Sequence, residues 1–127
     1  MGVILECNDL SFTYKNQLRP SISQINLKIE AGDFILCTGA TGCGKSTLLK
    51  TFNGLIPHEV SGTLQGRVLV AGEESKTNPV AELSRTVGLM FQNPDDQIFS
   101  TTVADEVGFV LENMGMPTAE KKQRVSE

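Results

Sequence analysis

The chain has 127 residues, of which 39% are hydrophobic and 20% charged, a composition that suits one globular domain. Its 11 basic and 15 acidic side chains leave a net charge of −4, and no basic face is available for phosphate neutralisation along a nucleic acid. The longest apolar runs are only a few residues, too short to span a bilayer, and the start has no charged-then-apolar signal pattern, so the expected location is cytosolic.

The first segment, Val3 to Tyr14, alternates apolar and polar residues at Leu10, Phe12 and Tyr14, which predicts a half-exposed strand. Asn16 and Pro20 punctuate a loop. Ile22, Ile25, Leu27 and Ile29 then predict a second extended stretch, closed by the turn residues Ala31-Gly32-Asp33. Next, the apolar run Phe34-Ile35-Leu36-Cys37 predicts a strand that leads directly into Gly39-Ala40-Thr41-Gly42-Cys43-Gly44-Lys45-Ser46-Thr47. That stretch satisfies the phosphate-loop pattern of a glycine, any four residues, then Gly-Lys-Ser/Thr. Leu48, Leu49 and Phe52 fall on one face of a helix expected to end at Gly54, with Pro57 opposing its continuation.

The chemistry of the loop follows from its residue types. Gly39, Gly42 and Gly44 let the backbone curl so that successive N–H groups point at an anion, helped by the positive end of the helix that starts near Lys45. A polyphosphate is the natural guest. Lys45 is expected to set a compact positive charge on the terminal phosphates, and Ser46 to offer its hydroxyl to Mg²⁺. The Thr47 backbone and hydroxyl are expected near the α-phosphate, while Ala40, Thr41 and Cys43 complete the cradle. The alternative is a glycine-rich turn that happens to contain Lys-Ser.

Beyond the loop, His58 is the only histidine and reads as a solvated residue of a Pro-Gly-punctuated connection. Gly66 to Ala71 predicts a short strand, Glu73 to Pro79 a polar surface loop, and Val87 to Phe91 a further buried strand. Gln92-Asn93-Pro94-Asp95-Asp96-Gln97 follows as a loop dense in amides and carboxylates. From Thr102, the residues Val103, Val107, Val110, Leu111 and Met114 keep helical spacing, with Asp105 and Glu106 in the first turn and Gly115 and Pro117 at the end. Thr118 is placed to cap a last helix whose solvated face carries Lys121, Lys122 and Arg124. Cys7, Cys37 and Cys43 show no metal-ligand spacing and read as reduced thiols. Cys7 and Cys37 are expected to pack as small apolar side chains, and Cys43, next to Lys45, to be accessible to alkylation unless nucleotide covers it.

Taken together, Tyr14, the Gly39 to Thr47 loop and Val87 to Gln97 resemble the ATP-binding subunits of ABC transporters. The resemblance implies an α/β, phosphate-loop NTPase (RecA-like) core with an antiparallel β portion at its N-terminal end. It makes residues 1–127 the first part of one ATPase domain: 1–91 the β portion and phosphate-loop core, 92–127 the Q-loop and the start of a helical subdomain. In that setting Tyr14 is the aromatic that stacks on adenine, although it also suits completing a strand face with Phe12. Gln92 matches the Q-loop glutamine, whose side-chain oxygen joins Ser46 as a Mg²⁺ ligand, although a solvated loop amide fits the same position. The wording Met90 to Phe99 is similar to the ATPases of energy-coupling-factor (cobalt-type) importers, in which Asp95, Asp96 and Gln97 lie near the groove for a membrane subunit's coupling helices. An ordinary acidic surface is the alternative for these three.

The resemblance implies ATP and Mg²⁺ as cofactors, a transmembrane coupling subunit and a second ATPase subunit, identical or not, as partners, and a place at the inner face of the cell membrane reached only through those partners. It implies import of a small solute, a vitamin or metal ion. The sequence holds neither the family's Leu-Ser-Gly-Gly-Gln signature nor an apolar run ending in Asp-Glu, and no switch histidine. No catalytic residue is therefore assigned, and the chain is expected to bind ATP better than it hydrolyses it. A non-hydrolysing ATP-binding module stays open beside the transporter reading. A phosphate-loop kinase or GTPase is disfavoured, since no Asn-Lys-x-Asp guanine reader is present.

Overall fold

The computed structural model describes residues 2–92, 98 and 100–127, without the Val110 side chain. Asp95, Asp96 and Gln97, assigned above to a partner groove, lie outside the described residues, as does the place of Val110 on its helix face. The chain forms two compact units, one ending at Leu89 and one beginning at Met90.

The first unit is built on four antiparallel strands in the order β2-β1-β3-β4, where β1 is Val3–Tyr14, β2 Ile22–Glu30, β3 Gly62–Val70 and β4 Glu73–Glu74. The central strand β1 pairs along both edges, with Cys7 opposite Leu27 on one side and Val68 on the other. Its inward residues are Cys7 and then Leu10 and Phe12, an odd-to-even change of phase that strict alternation forbids. The change is made at Asp9, which has φ 47, and the ladders to β2 and β3 both shift register there. Asn26 holds the irregularity: its Oδ1 accepts from the Asp9 N–H at 3.0 Å and its Nδ2 donates to Asp9 Oδ1 at 3.0 Å.

Behind this face lie α1 (Lys45–Phe52), α2 (Leu55–His58) and α3 (Val80–Leu83). Leu10, Phe12, Ile22, Val68 and Val70 from the sheet meet Phe52, Ile56 and Leu83 from the helices in one core. Full burial of side chains such as Phe12 and Leu10 contributes about 1.5–3 kcal/mol each. The helix face toward the core is Thr47, Thr51 and Phe52, with Leu48 packed beside them, whereas Leu49 is 40% exposed. Thr51 is tolerated there because its hydroxyl donates to the Leu48 carbonyl at 2.6 Å.

Two expected strands do not form. Phe34 to Cys37 carries no ladder, and Phe34 and Leu36 are 94% and 79% exposed. Val87 to Phe91 is likewise irregular, with Met90 76% exposed. Short apolar runs become strands only when other strands take up their N–H and C=O groups. Among the described residues the sheet ends at β2 and β4, and neither run joins it. Cys37 is therefore exposed instead of packed, while Cys7 is buried as expected. The strand expected from Gly66 begins earlier, at Gly62, and the expected loop at 73–79 contains the β4 pair and leads into α3. His58 is exposed, as expected, and its Nε2 lies 2.9 Å from the Ser75 carbonyl oxygen.

Among the described residues, the regular elements of the second unit are α4 (Val103–Asn113) and α5 (Thr118–Ser126). Thr102 caps α4, its Oγ1 accepting from the Asp105 N–H at 3.1 Å, and Glu106 accepts from the Ser100 N–H at 2.9 Å. Gly108 lies against Lys121 and Val125 of α5, and a Lys121–Glu112 ion pair at 3.8 Å spans the two helices. Thr118 does not cap: it is the first helical residue, preceded by Pro117, whose extended φ/ψ presets the helix entry and whose side chain offers no acceptor.

Candidate functional site

The phosphate-loop residues sit at the start of α1, in the first unit. Gly44 is the residue before the helix, at φ 103 and ψ 9, and no side chain caps the N-terminus. That φ is open to glycine and strained for other residues. A Cβ at Gly44 would also stand 2.5 Å from the Ser21 carbonyl oxygen and 2.9 Å from Ile22 Cγ2. The helix start is thus seated against the beginning of β2, a contact with no signature in the sequence. Gly42, at φ 81, makes the preceding bend, and the Cys43 N–H donates to the Ala40 carbonyl at 3.1 Å.

The electrostatics suit an anion. The first turn of α1 contains no acidic residue, and its leading N–H groups carry the positive end of the helix dipole. The Lys45 ammonium bends back over the loop, donating to the Gly39 carbonyl at 2.6 Å and the Ala40 carbonyl at 3.0 Å, with Cys43 Sγ 3.6 Å away. A phosphate oxygen is a stronger partner for that charge than a neutral carbonyl. Ser46 follows at the surface, and its hydroxyl is a hard oxygen donor of the kind Mg²⁺ takes alongside substrate phosphates and water. No cluster of three His, Cys, Asp or Glu side chains that could cage a metal exists among the described residues, so a metal fits here only with the phosphates as co-ligands.

Tyr14, at the end of β1, does come to the loop. Its hydroxyl lies 2.7 Å from Thr47 Oγ1, and its ring meets Phe12 edge to face, with centroids 4.9 Å apart and planes at 80°. Of the two environments considered for Tyr14 from sequence, the strand face shared with Phe12 is present. Gln92 is exposed and belongs to the second unit. Sequence reasoning missed the Tyr14–Thr47 hydroxyl pair and the Ser21–Ile22 seat for Gly44; only the repeated aromatic at Phe12 and Tyr14 hinted at the first.

A helix start with no side-chain cap bond, behind a glycine-bent loop with a lysine at its mouth, is the arrangement that a phosphate-loop site requires. The comparisons narrow the class: residues 22–127 match the family model described as ABC transporter. The chain belongs to the ABC transporter family. It is 52% identical, over 98% of its length, to a putative ABC transporter ATP-binding protein of Methanosarcina acetivorans, and 46% identical, over 96%, to one of Pyrococcus horikoshii. It spans 19% of the first of those proteins and 43% of the second. Among solved structures it superposes on cbiO1 of Clostridium perfringens, part of the ABC transporter complex cbiONQ, with a TM-score of 0.81 and 30% identity, covering 99% of this chain and 49% of that one. A dimeric ATP-binding cassette in a post-hydrolysis state with ADP and Pi shares the fold, at a TM-score of 0.73 and 24% identity. The fold is thus that of an ABC ATPase domain, of which this chain spans a part.

Proposed function

We propose that this chain is the ATP-binding part of a transporter ATPase that uses ATP binding and hydrolysis to drive import of a small solute, a vitamin or metal ion, through membrane partners. The observation that carries it is the Gly39 to Thr47 loop: bent at Gly42 and Gly44, opening onto the uncapped start of α1, with the Lys45 ammonium held over it. The loop residues would hold the triphosphate, Tyr14 would meet the adenine, and the Ser46 hydroxyl would offer an oxygen ligand to Mg²⁺, which when bound neutralises charge on the phosphates, while Gln92 keeps the Q-loop part that the family resemblance gives it. The reading assigns 1–91 to the β portion and loop core and 92–127 to the Q-loop and the start of a helical subdomain, and the two-unit division falls two residues before that boundary, between Leu89 and Met90. The likeness to cbiO1, part of the ABC transporter complex cbiONQ, supports an energy-coupling-factor type that works within a complex; a transmembrane coupling subunit and a second ATPase subunit, identical or not, are the partners that the family resemblance implies. No helix among the described residues is long and apolar enough to cross a membrane; the place at the cytoplasmic face, held by those partners, follows from the transporter reading.

Because the sequence contains neither the signature motif nor an apolar run ending in Asp-Glu, the chain by itself holds ATP without turning it over efficiently. The test is binding of labelled Mg-ATP beside steady-state phosphate release. Wild type is expected to bind and Lys45→Ala to lose about tenfold or more in affinity, with negligible release by either. Release abolished by Lys45→Ala would refute catalytic incompleteness, and failure to bind ATP would refute the site.

A further inference from the structure

Tyr14 and Thr47, 33 residues apart in sequence, are joined hydroxyl to hydroxyl at 2.7 Å. Thr47 is only 5% exposed, so its hydroxyl depends on the protein for a partner. The Tyr14 ring is held in turn by Phe12, which is fully buried in the core. The tyrosine is therefore a rigid post, and its tip touches the third residue of α1. The second fixed contact of the helix start, Gly44 against Ser21 and Ile22, lies three residues earlier. Together they bracket Lys45 and Ser46.

We propose that Tyr14 is a positioning residue for the phosphate loop: its hydroxyl locks Thr47 and so sets the orientation of the N–H groups at the start of α1. The idea rests on the nucleotide reading of the loop, and it separates two duties of one side chain. Stacking on a base uses the ring and concerns only ligands that carry a base. Positioning uses the hydroxyl and concerns every polyphosphate, base or none.

Tyr14→Phe keeps the ring and deletes the hydroxyl. Dissociation constants for Mg-ATP and for inorganic tripolyphosphate are measured by calorimetry on wild type and variant, with thermal melting in parallel. Both ligands are expected to weaken by a similar factor, about threefold to tenfold, the range of one net hydrogen bond. Thr47→Val, which removes the other hydroxyl and with it one expected near the α-phosphate, is expected to lose at least as much, and Tyr14→Phe to cost nothing further in the Thr47→Val background, because one interaction cannot be lost twice. Unchanged affinity for both ligands in Tyr14→Phe, with or without a lower melting temperature, overturns the proposal, as does a loss confined to ATP. Should Tyr14→Phe fail to fold, Tyr14→Leu decides on tripolyphosphate, which has no base to stack: weaker binding is expected, and unchanged binding overturns the proposal. If wild type binds neither ligand, the nucleotide reading itself fails and takes the proposal with it, an outcome visible before any variant is compared.

Discussion

Gly44→Ala tests the seating of the phosphate-loop helix directly. The new Cβ would stand 2.5 Å from the Ser21 carbonyl oxygen and 2.9 Å from Ile22 Cγ2. Neither atom gives way cheaply. The Ser21 N–H donates to the Phe12 carbonyl at 2.8 Å, and Ile22 is 6% exposed within the core. Two costs add: about 1–2 kcal/mol for a non-glycine residue at φ 103, and about 1–3 kcal/mol for overpacking a closed contact. The sum, about 2–5 kcal/mol, is a large share of a small domain's stability of about 5–15 kcal/mol. Gly42→Ala isolates the first cost, since at φ 81 it has nothing within 4 Å of its Cβ position. Gly88→Ala, with open space and no positive φ, serves as the neutral reference, within about 0.5 kcal/mol of wild type. Urea denaturation at constant m-value gives the three midpoints, expected in the order Gly88→Ala, Gly42→Ala, Gly44→Ala from most to least stable. A Gly44→Ala protein as stable as Gly42→Ala would refute the close approach of α1 to β2.

Burial, with Glu6 adding to it, pushes the Cys7 thiol up to about 11. At pH 8 it therefore stays protonated and unreactive, because the thiolate is the attacking form. Site-resolved mass spectrometry after alkylation at pH 8 is expected to show the exposed Cys43 modified, its rate slowed by Mg-ATP, and Cys7 unmodified until the protein unfolds; equal Cys43 rates with and without nucleotide would count against the placement of the loop. Phe34 and Leu36 present an apolar, unpaired run to solvent, so the chain is expected to self-associate in light scattering as its concentration rises. Replacing both by serine is expected to reduce that association while changing stability by no more than about 0.5 kcal/mol, and a wild-type chain that is monodisperse and melts cooperatively as a monomer contradicts the expectation.

Local pattern was enough for the elements whose stabilising partners lie close in sequence or repeat regularly. The alternation of Leu10, Phe12 and Tyr14, the run Ile22 to Ile29 and the spacing Val103 to Met114 all correspond to observed elements. The switch of phase at Asp9 was not legible, because a bulge is decided by both neighbouring strands at once. The short α3 and the β4 pair escaped notice for a related reason: four and two residues are too few to show a period. Phe34 to Cys37 and Val87 to Phe91 fail in the opposite sense, since their apolarity predicts burial that no neighbouring strand provides among the described residues.

The Gly39 to Thr47 pattern was legible in the sequence alone, since the phosphate-binding role proposed for it calls for specific residue types at fixed spacing: glycines where the backbone bends, a lysine for charge, a serine for a hard oxygen ligand. Those requirements are local and leave their mark in consecutive letters. What sets the loop in place is decided by tertiary structure. The Tyr14 hydroxyl on Thr47 and the bare Cα of Gly44 against Ser21 join residues 33 and 23 positions apart, and whether two such groups meet depends on how β1, β2 and α1 pack, which no spacing along the chain encodes.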